Sequence, residues 1–235
     1  MTIIKNLSSV TNRIENAALQ ANRSPADIQL LAVSKTWSAE KLRDAASAGL
    51  TAFGENYLQE ALLKINHLQD LNLDWHFIGP IQSNKTKDIA QHFDWVQSVD
   101  RQKIAQRLAT QLPKDKPPLN VCIQVNIDNE QTKSGVSDTN LFTLASDIDA
   151  LEQLNLRGIM VIPSKTDNLE QRHATFHKAH TLYQKLAKTY PSVDTLSMGM
   201  SADMSAAVAE GSTMVRIGSA LFGQRSTLTS TGKVN

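Results

Sequence analysis

Short apolar runs and longer amphipathic stretches alternate along this chain about eight times. The first stretch stands outside that alternation. Ile3, Ile4, Leu7, Val10, Ile14, Ala17, Ala18 and Ala21 repeat at helical spacing and predict an amphipathic helix over 3–21, closed by the break Ser24-Pro25. Strand-like runs are then expected at 28–33, 52–54, 75–78, 95–99, 119–125, 156–162, 195–198 and 214–217. Helical patterns fill the gaps at 38–48, 56–68, 85–92, 101–112, 139–151, 169–190 and 202–209, with Ser38 placed to cap the first of them. Strand-then-helix alternation means parallel strands joined by crossover helices. Units this numerous in 235 residues favour a closed barrel over an open doubly wound sheet. The expected fold is therefore α/β, a single (β/α)8 TIM barrel over 1–225 with an extra N-terminal helix covering its bottom. A polar tail is expected over 226–235.

Composition narrows the function classes. The 24 basic and 23 acidic residues leave a formal net charge of +1, which offers no electrostatic footprint for nucleic acid. The lone Cys122 lies in the apolar segment VCIQV, which excludes an intramolecular disulfide and reads as core. The start MTIIKNLSSV lacks the pattern of a signal peptide, and no apolar run approaches the roughly 18 residues of a membrane helix. A cytoplasmic, monomeric, single-domain protein is expected, with no membrane or nucleic-acid partner.

In such barrels chemistry gathers where strands end. Lys35 ends the run LLAVSK, where partial burial would lower an amine's pKa and suit it to Schiff-base chemistry; a solvated lysine flanking a helix is the plain alternative. Glu55, Asn56, His76, residues 82–85 and Asn126 also fall at strand ends. The segments SMGMS (197–201) and RIGS (216–219) follow the last two strands, where barrels commonly hold a phosphate. Gly199 and Gly218 would allow close backbone approach, Ser201 is expected to open the helix 202–209, and Ser219 adds a hydroxyl; ordinary Gly/Ser turns remain the alternative. Arg216 would be a fixed cation if it points into the mouth, or a salt-bridge partner of Asp203 or Glu210 if it does not. His76 reads as a satisfied histidine at a strand end. His173 and His177 have metal-pair spacing without the HExxH glutamate and read as a solvated helix face. Neither a GxGxxG nor a Walker loop occurs. An amine opposite a phosphate site also suits a class I aldolase, in which Lys35 would attack a sugar ketone.

Longer motifs bear on that choice. LLAVSKTW around Lys35, FGENYLQE at 53–60, WHFIGPIQSNK at 75–85, SMGMSADM at 197–204 and STMVRIGSALFG at 212–223 resemble the pyridoxal phosphate homeostasis protein family. The resemblance runs over nearly the whole chain and implies a barrel similar to the N-terminal domain of alanine racemase. It implies pyridoxal 5′-phosphate as cofactor, held as an internal aldimine on Lys35. It implies a phosphate site at Ser201, Gly218 and Ser219, a pyridine-nitrogen contact at Arg216, and Asn56 close to the cofactor. Lys133, in the loop TKSG, matches a family lysine with a secondary cofactor role. The implied function is reversible holding of the cofactor in vitamin B6 homeostasis, with PLP-dependent apoenzymes as candidate partners and no strong catalysis. A pyridoxal-phosphate racemase or decarboxylase with an unrecognised second base is the alternative within the same resemblance; two-face proton transfer needs a group on each face of the cofactor, and only Lys35 stands out as one.

Overall fold

The computed structural model describes residues 2–130 and 132–223. The expected boundary at 225 and the polar tail 226–235 lie outside the described residues. Eight parallel strands close into a barrel in sequence order: β1 (Gln29–Val33), β2 (Ala52–Glu55), β3 (Asp74–Phe77), β4 (Trp95–Val99), β5 (Leu119–Val125), β6 (Leu154–Val161), β7 (Thr195–Ser197) and β8 (Met214–Ile217). Closure comes from β1 pairing with β8, where Leu31 stands opposite Arg216 and Ala32 opposite Ile217. This register places the end of β1 beside the end of β8, so Lys35 and the segment after Arg216 share one rim.

Helices α2 (Ala39–Ser47), α3 (Leu58–His67), α4 (Thr86–His92), α5 (Gln102–Gln111), α6 (Asp138–Asp149), α7 (Leu169–Thr189) and α8 (Met204–Ala209) cross over between successive strands; α1 (Ile3–Gln20) precedes them and α9 (Ser219–Phe222) follows β8. Ser38 caps α2 as expected, its hydroxyl accepting from the Lys41 amide at 3.4 Å. The main core lies between strands and helices, with Phe53, Phe93, Phe176, Leu42 and Ile104 fully buried there. Cys122 is buried as expected, and burial pushes its thiol up to about 12, which leaves it inert at neutral pH.

Two expectations need correction. Helix α1 does not cover the bottom of the barrel: it lies alongside α8 and α9. Its buried stripe ends in Ala17 and Ala18, and α8 reads MSAAVA, so small side chains on both helices permit close lateral packing. Polar ties fix it there: Asn6 Nδ2 donates to the Leu221 carbonyl at 2.7 Å, and Arg13 to the Ser201 carbonyl at 2.7 Å. The second correction concerns Ser201. It sits in the turn before α8, which opens only at Met204 with Asp203 in the capping position. The Asp203 carboxylate accepts from the Met200 amide at 2.6 Å and tightens that turn, which delays the helix.

Candidate functional site

One cavity of about 590 Å³ opens at the carboxyl ends of β1, β2, β3, β6, β7 and β8. Lys35, Asn56, Ser201, Arg216, Gly218 and Ser219 all line it. The six positions come from four separate stretches of sequence, and barrel closure brings them to one place. Lys165 and Trp37 line the cavity as well, and neither stood out from the sequence. Lys165 follows β6 in a polar loop, so the strand-end rule alone could have found it. Trp37 stacks on Phe222 of α9 with ring centroids 5.9 Å apart, joining the loop after β1 to the helix after β8.

Three cations, Lys35, Lys165 and Arg216, face this cavity, and no carboxylate is among the described residues that line it. Such a lining favours an anion. The turns after β7 and β8 supply hydroxyls at Ser201 and Ser219 and the first-turn amides of α9. Gly199 needs its missing side chain: at φ +94° a Cβ would stand 2.5 Å from the Ala207 Cβ. Gly218 packs its backbone against β1, where a Cβ would lie 3.2 Å from the Val33 carbonyl oxygen. A side chain at Gly199 would force the turn before α8 apart, while one at Gly218 would press on β1 and need it to give slightly. Asn56 Oδ1 is buried without a hydrogen-bond partner, a polar atom left for whatever fills the cavity.

Arg216 points inward and is 5% exposed. Its guanidinium donates to Ser197 Oγ at 2.8 Å and to the Val161 carbonyl at 2.8 Å. Neither Asp203 nor Glu210 pairs with it. The Asp203 carboxylate is held by the Met200 amide, while Glu210 accepts from both His173 Nδ1 (2.8 Å) and His177 Nδ1 (3.1 Å). The two histidines therefore clip α7 to the end of α8 rather than form a purely solvated face. Burial pulls the Arg216 guanidinium down to about 10, so it stays protonated at neutral pH.

Behind Arg216 a polar chain runs down the barrel interior. Ser197 Oγ donates to Gln97 Oε1 at 2.7 Å, and Gln97 Nε2 donates to His76 Nδ1 at 2.9 Å. Every donor in this chain points away from the arginine, since a guanidinium can only donate. His76 must then accept at Nδ1 and carry its proton on Nε2. That Nε2 is buried without a partner, which corrects the expectation of a satisfied histidine. The ring stacks on Trp95 at 5.1 Å, and burial pulls its pKa down to about 3, so it stays neutral.

The other strand-end candidates sit elsewhere. Residues 82–85 carry a short 3-10 turn from Ser83 to Lys85 and do not line the main cavity. Glu55 is fully buried; Ser34 Oγ donates to its Oε1 at 2.6 Å and Lys64 Nζ at 2.7 Å. Burial pushes the Glu55 carboxyl up, against the pull of Lys64 and Ser34. Asn126 and Lys133 line a smaller neighbouring cavity of about 240 Å³ that shares Asn56, Ile78 and Ile162 with the main one. Lys133 is tied there to Glu130 at 3.0 Å and Ser164 Oγ at 2.8 Å.

A family model described as alanine racemase, N-terminal domain, matches residues 6–226. The pyridoxal phosphate homeostasis protein of Pseudomonas aeruginosa is 55% identical over 224 residues, covering 95% of this chain and 96% of that protein. Its counterpart in Haemophilus influenzae is 49% identical over 237 residues, covering 99% and 100%. Among solved structures, PipY of Synechococcus elongatus PCC7942 with PLP bound superposes with a TM-score of 0.80 at 35% identity, covering 94% of this chain and all of that one.

Proposed function

This chain belongs to the pyridoxal phosphate homeostasis protein family, within the alanine racemase N-terminal domain family, and from that premise we propose that it holds pyridoxal 5′-phosphate in the 590 Å³ cavity. It is a pyridoxal-phosphate-binding protein of vitamin B6 homeostasis. The observation that carries the reading is the meeting of an amine, a buried guanidinium and a hydroxyl-and-amide turn pair in one cavity that no carboxylate enters among the described residues. The donor set fits the group. Lys35 would hold the aldehyde carbon, Ser201, Gly218 and Ser219 the phosphate, and Arg216 the ring nitrogen. Asn56, with its unpartnered Oδ1, would stand beside the ring.

When bound, the group supplies an electrophilic carbon and a ring that draws electrons more strongly when its nitrogen is protonated. Arg216 works against that second property. It stays protonated and can only donate, so the nitrogen facing it would accept a hydrogen bond and carry no proton. Strong carbanion chemistry is therefore disfavoured, which agrees with a holding role. Tyr57, next to Asn56 in sequence, is exposed at the start of α3 and does not line the cavity, so it supplies no second base there. The reading includes a monomeric, cytoplasmic protein that passes its cofactor to PLP-dependent apoenzymes.

Lys165 favours the second reading, a racemase or decarboxylase, because it places another amine at the cavity. Titration with pyridoxal 5′-phosphate separates these possibilities from the aldolase alternative. The expected result is a saturable visible band, lost in Lys35→Ala, with no amino-acid turnover at enzyme-like rates. An unchanged band in Lys35→Ala would remove the anchor, and fast racemisation abolished by Lys165→Ala would establish the enzyme.

A further inference from the structure

The two peptide groups that flank Lys35 are both held through one ammonium that never reaches the cavity. Lys64, on α3, is 4% exposed. Its Nζ donates to the Ser34 carbonyl at 2.8 Å, to Glu55 Oε1 at 2.7 Å and to Glu60 Oε1, so all three ammonium protons are used. The Ser34 carbonyl belongs to the peptide preceding Lys35. Glu60 Oε1 also accepts from the Thr36 amide at 2.5 Å, and that N–H belongs to the peptide following Lys35. Fixing the planes on both sides of a Cα fixes its φ and ψ, and hence the direction of its Cβ.

The backbone here needs holding. Thr36 has φ +70°, a conformation that a β-branched residue adopts only when its surroundings impose it. The Ser34 hydroxyl adds a further tie, donating to Glu55 Oε1 at 2.6 Å. Glu55 and Glu60 thus act on the two residues that flank Lys35, and neither they nor Lys64 lines the cavity.

We propose that Lys64 and Glu60 form a clasp that aims Lys35 at the reactive carbon of the cofactor, making both positioning residues for the anchor. The proposal rests on the reading of Lys35 as that anchor. It assigns to α3 a role in capture that leaves ring and phosphate binding untouched.

The test compares two ligands on the full chain. Pyridoxal 5′-phosphate can be captured by an amine; pyridoxine 5′-phosphate has the same ring and phosphate with an alcohol in place of the aldehyde. Glu60→Ala removes the acceptor of the Thr36 amide and leaves the buried Lys64–Glu55 pair in place, so the fold is retained, as thermal denaturation would verify. It is expected to weaken pyridoxal 5′-phosphate binding by about tenfold and slow borohydride fixation on Lys35, while pyridoxine 5′-phosphate binds within about twofold of wild type. Glu60→Gln keeps an amide oxygen for Thr36 and is expected to restore most of the loss. Equal weakening of both ligands would reduce the clasp to general support and overturn the proposal, as would wild-type capture by Glu60→Ala. If the wild-type protein itself is not fixed on Lys35, it is the anchor reading that fails, and the wild-type arm shows this separately.

Discussion

Lys64 and Arg216 are both buried cations, Arg216 lining the main cavity and Lys64 outside it, and they are held in opposite ways. Lys64 lies between two carboxylates, Glu55 and Glu60. Arg216 touches neutral oxygens, Ser197 Oγ and the Val161 carbonyl, and no carboxylate lies within ion-pair distance of it among the described residues. A cation already neutralised by carboxylates has little left for a ligand and serves the backbone around it. A cation solvated by neutral dipoles keeps its charge directed into the cavity, and burial makes that charge count for more. The difference separates a part that aims from a part that binds.

The comparison breaks most visibly by removing each cation in turn. Lys64→Met leaves Glu55 buried without its counter-charge, and the ligand-free protein is expected to lose about 3–5 kcal/mol in urea denaturation. Arg216→Met removes a charge that no carboxylate balances. Its stability is expected to stay level or rise, while affinity for pyridoxal 5′-phosphate falls about tenfold or more. Equal stability losses in the two variants would contradict the distinction.

The neutral chain behind Arg216 makes a claim about acid. His76 has a folded pKa of about 3 against an ordinary value of 6.5. Between those values the unfolded chain binds a proton that the folded one does not. Stability from this group is therefore complete above about pH 6.5 and declines as pH falls towards 3, by about 1.4 kcal/mol per pH unit. Denaturation at pH 6.5 and 4.5 is expected to differ by about 2 kcal/mol from this source, and His76→Phe is expected to flatten that slope by one proton. An unchanged slope in the variant would show that His76 is not held neutral.

The smallest effects belong to the hydroxyls. Ser201→Ala and Ser219→Ala should each weaken inorganic phosphate and pyridoxal 5′-phosphate in parallel, by about three- to tenfold, since one hydrogen bond is worth about 1 kcal/mol. An effect on only one of the two ligands would move that serine out of the phosphate subsite.

Much of the barrel was legible because each strand is a short apolar run with turn signals at its ends. β5 and β8 lie where the pattern placed them, at Leu119–Val125 and Met214–Ile217. The six cavity residues were legible for a different reason: they sit on long motifs and at strand ends, which barrel closure must bring together. What stayed hidden depends on side chains meeting across the fold. Nothing in the spacing of Ser197, Gln97 and His76 says that they form one chain down the barrel. Lys64 reads as one more helical lysine until Glu55 and Ser34 are seen against it. The path of α1 was missed because an amphipathic stripe says that a face is covered, not by what.

The most direct measurement is borohydride reduction of the protein loaded with pyridoxal 5′-phosphate, followed by peptide mapping of the fixed cofactor. Lys35, Lys165 and Lys133 all border the main cavity or its neighbour, so the map distinguishes three amines within reach of one ligand. The expected label is on Lys35, one per chain at low loading. A label on Lys165 or Lys133 with Lys35 unmodified would contradict the assignment of the anchor and everything built on the residues that aim it.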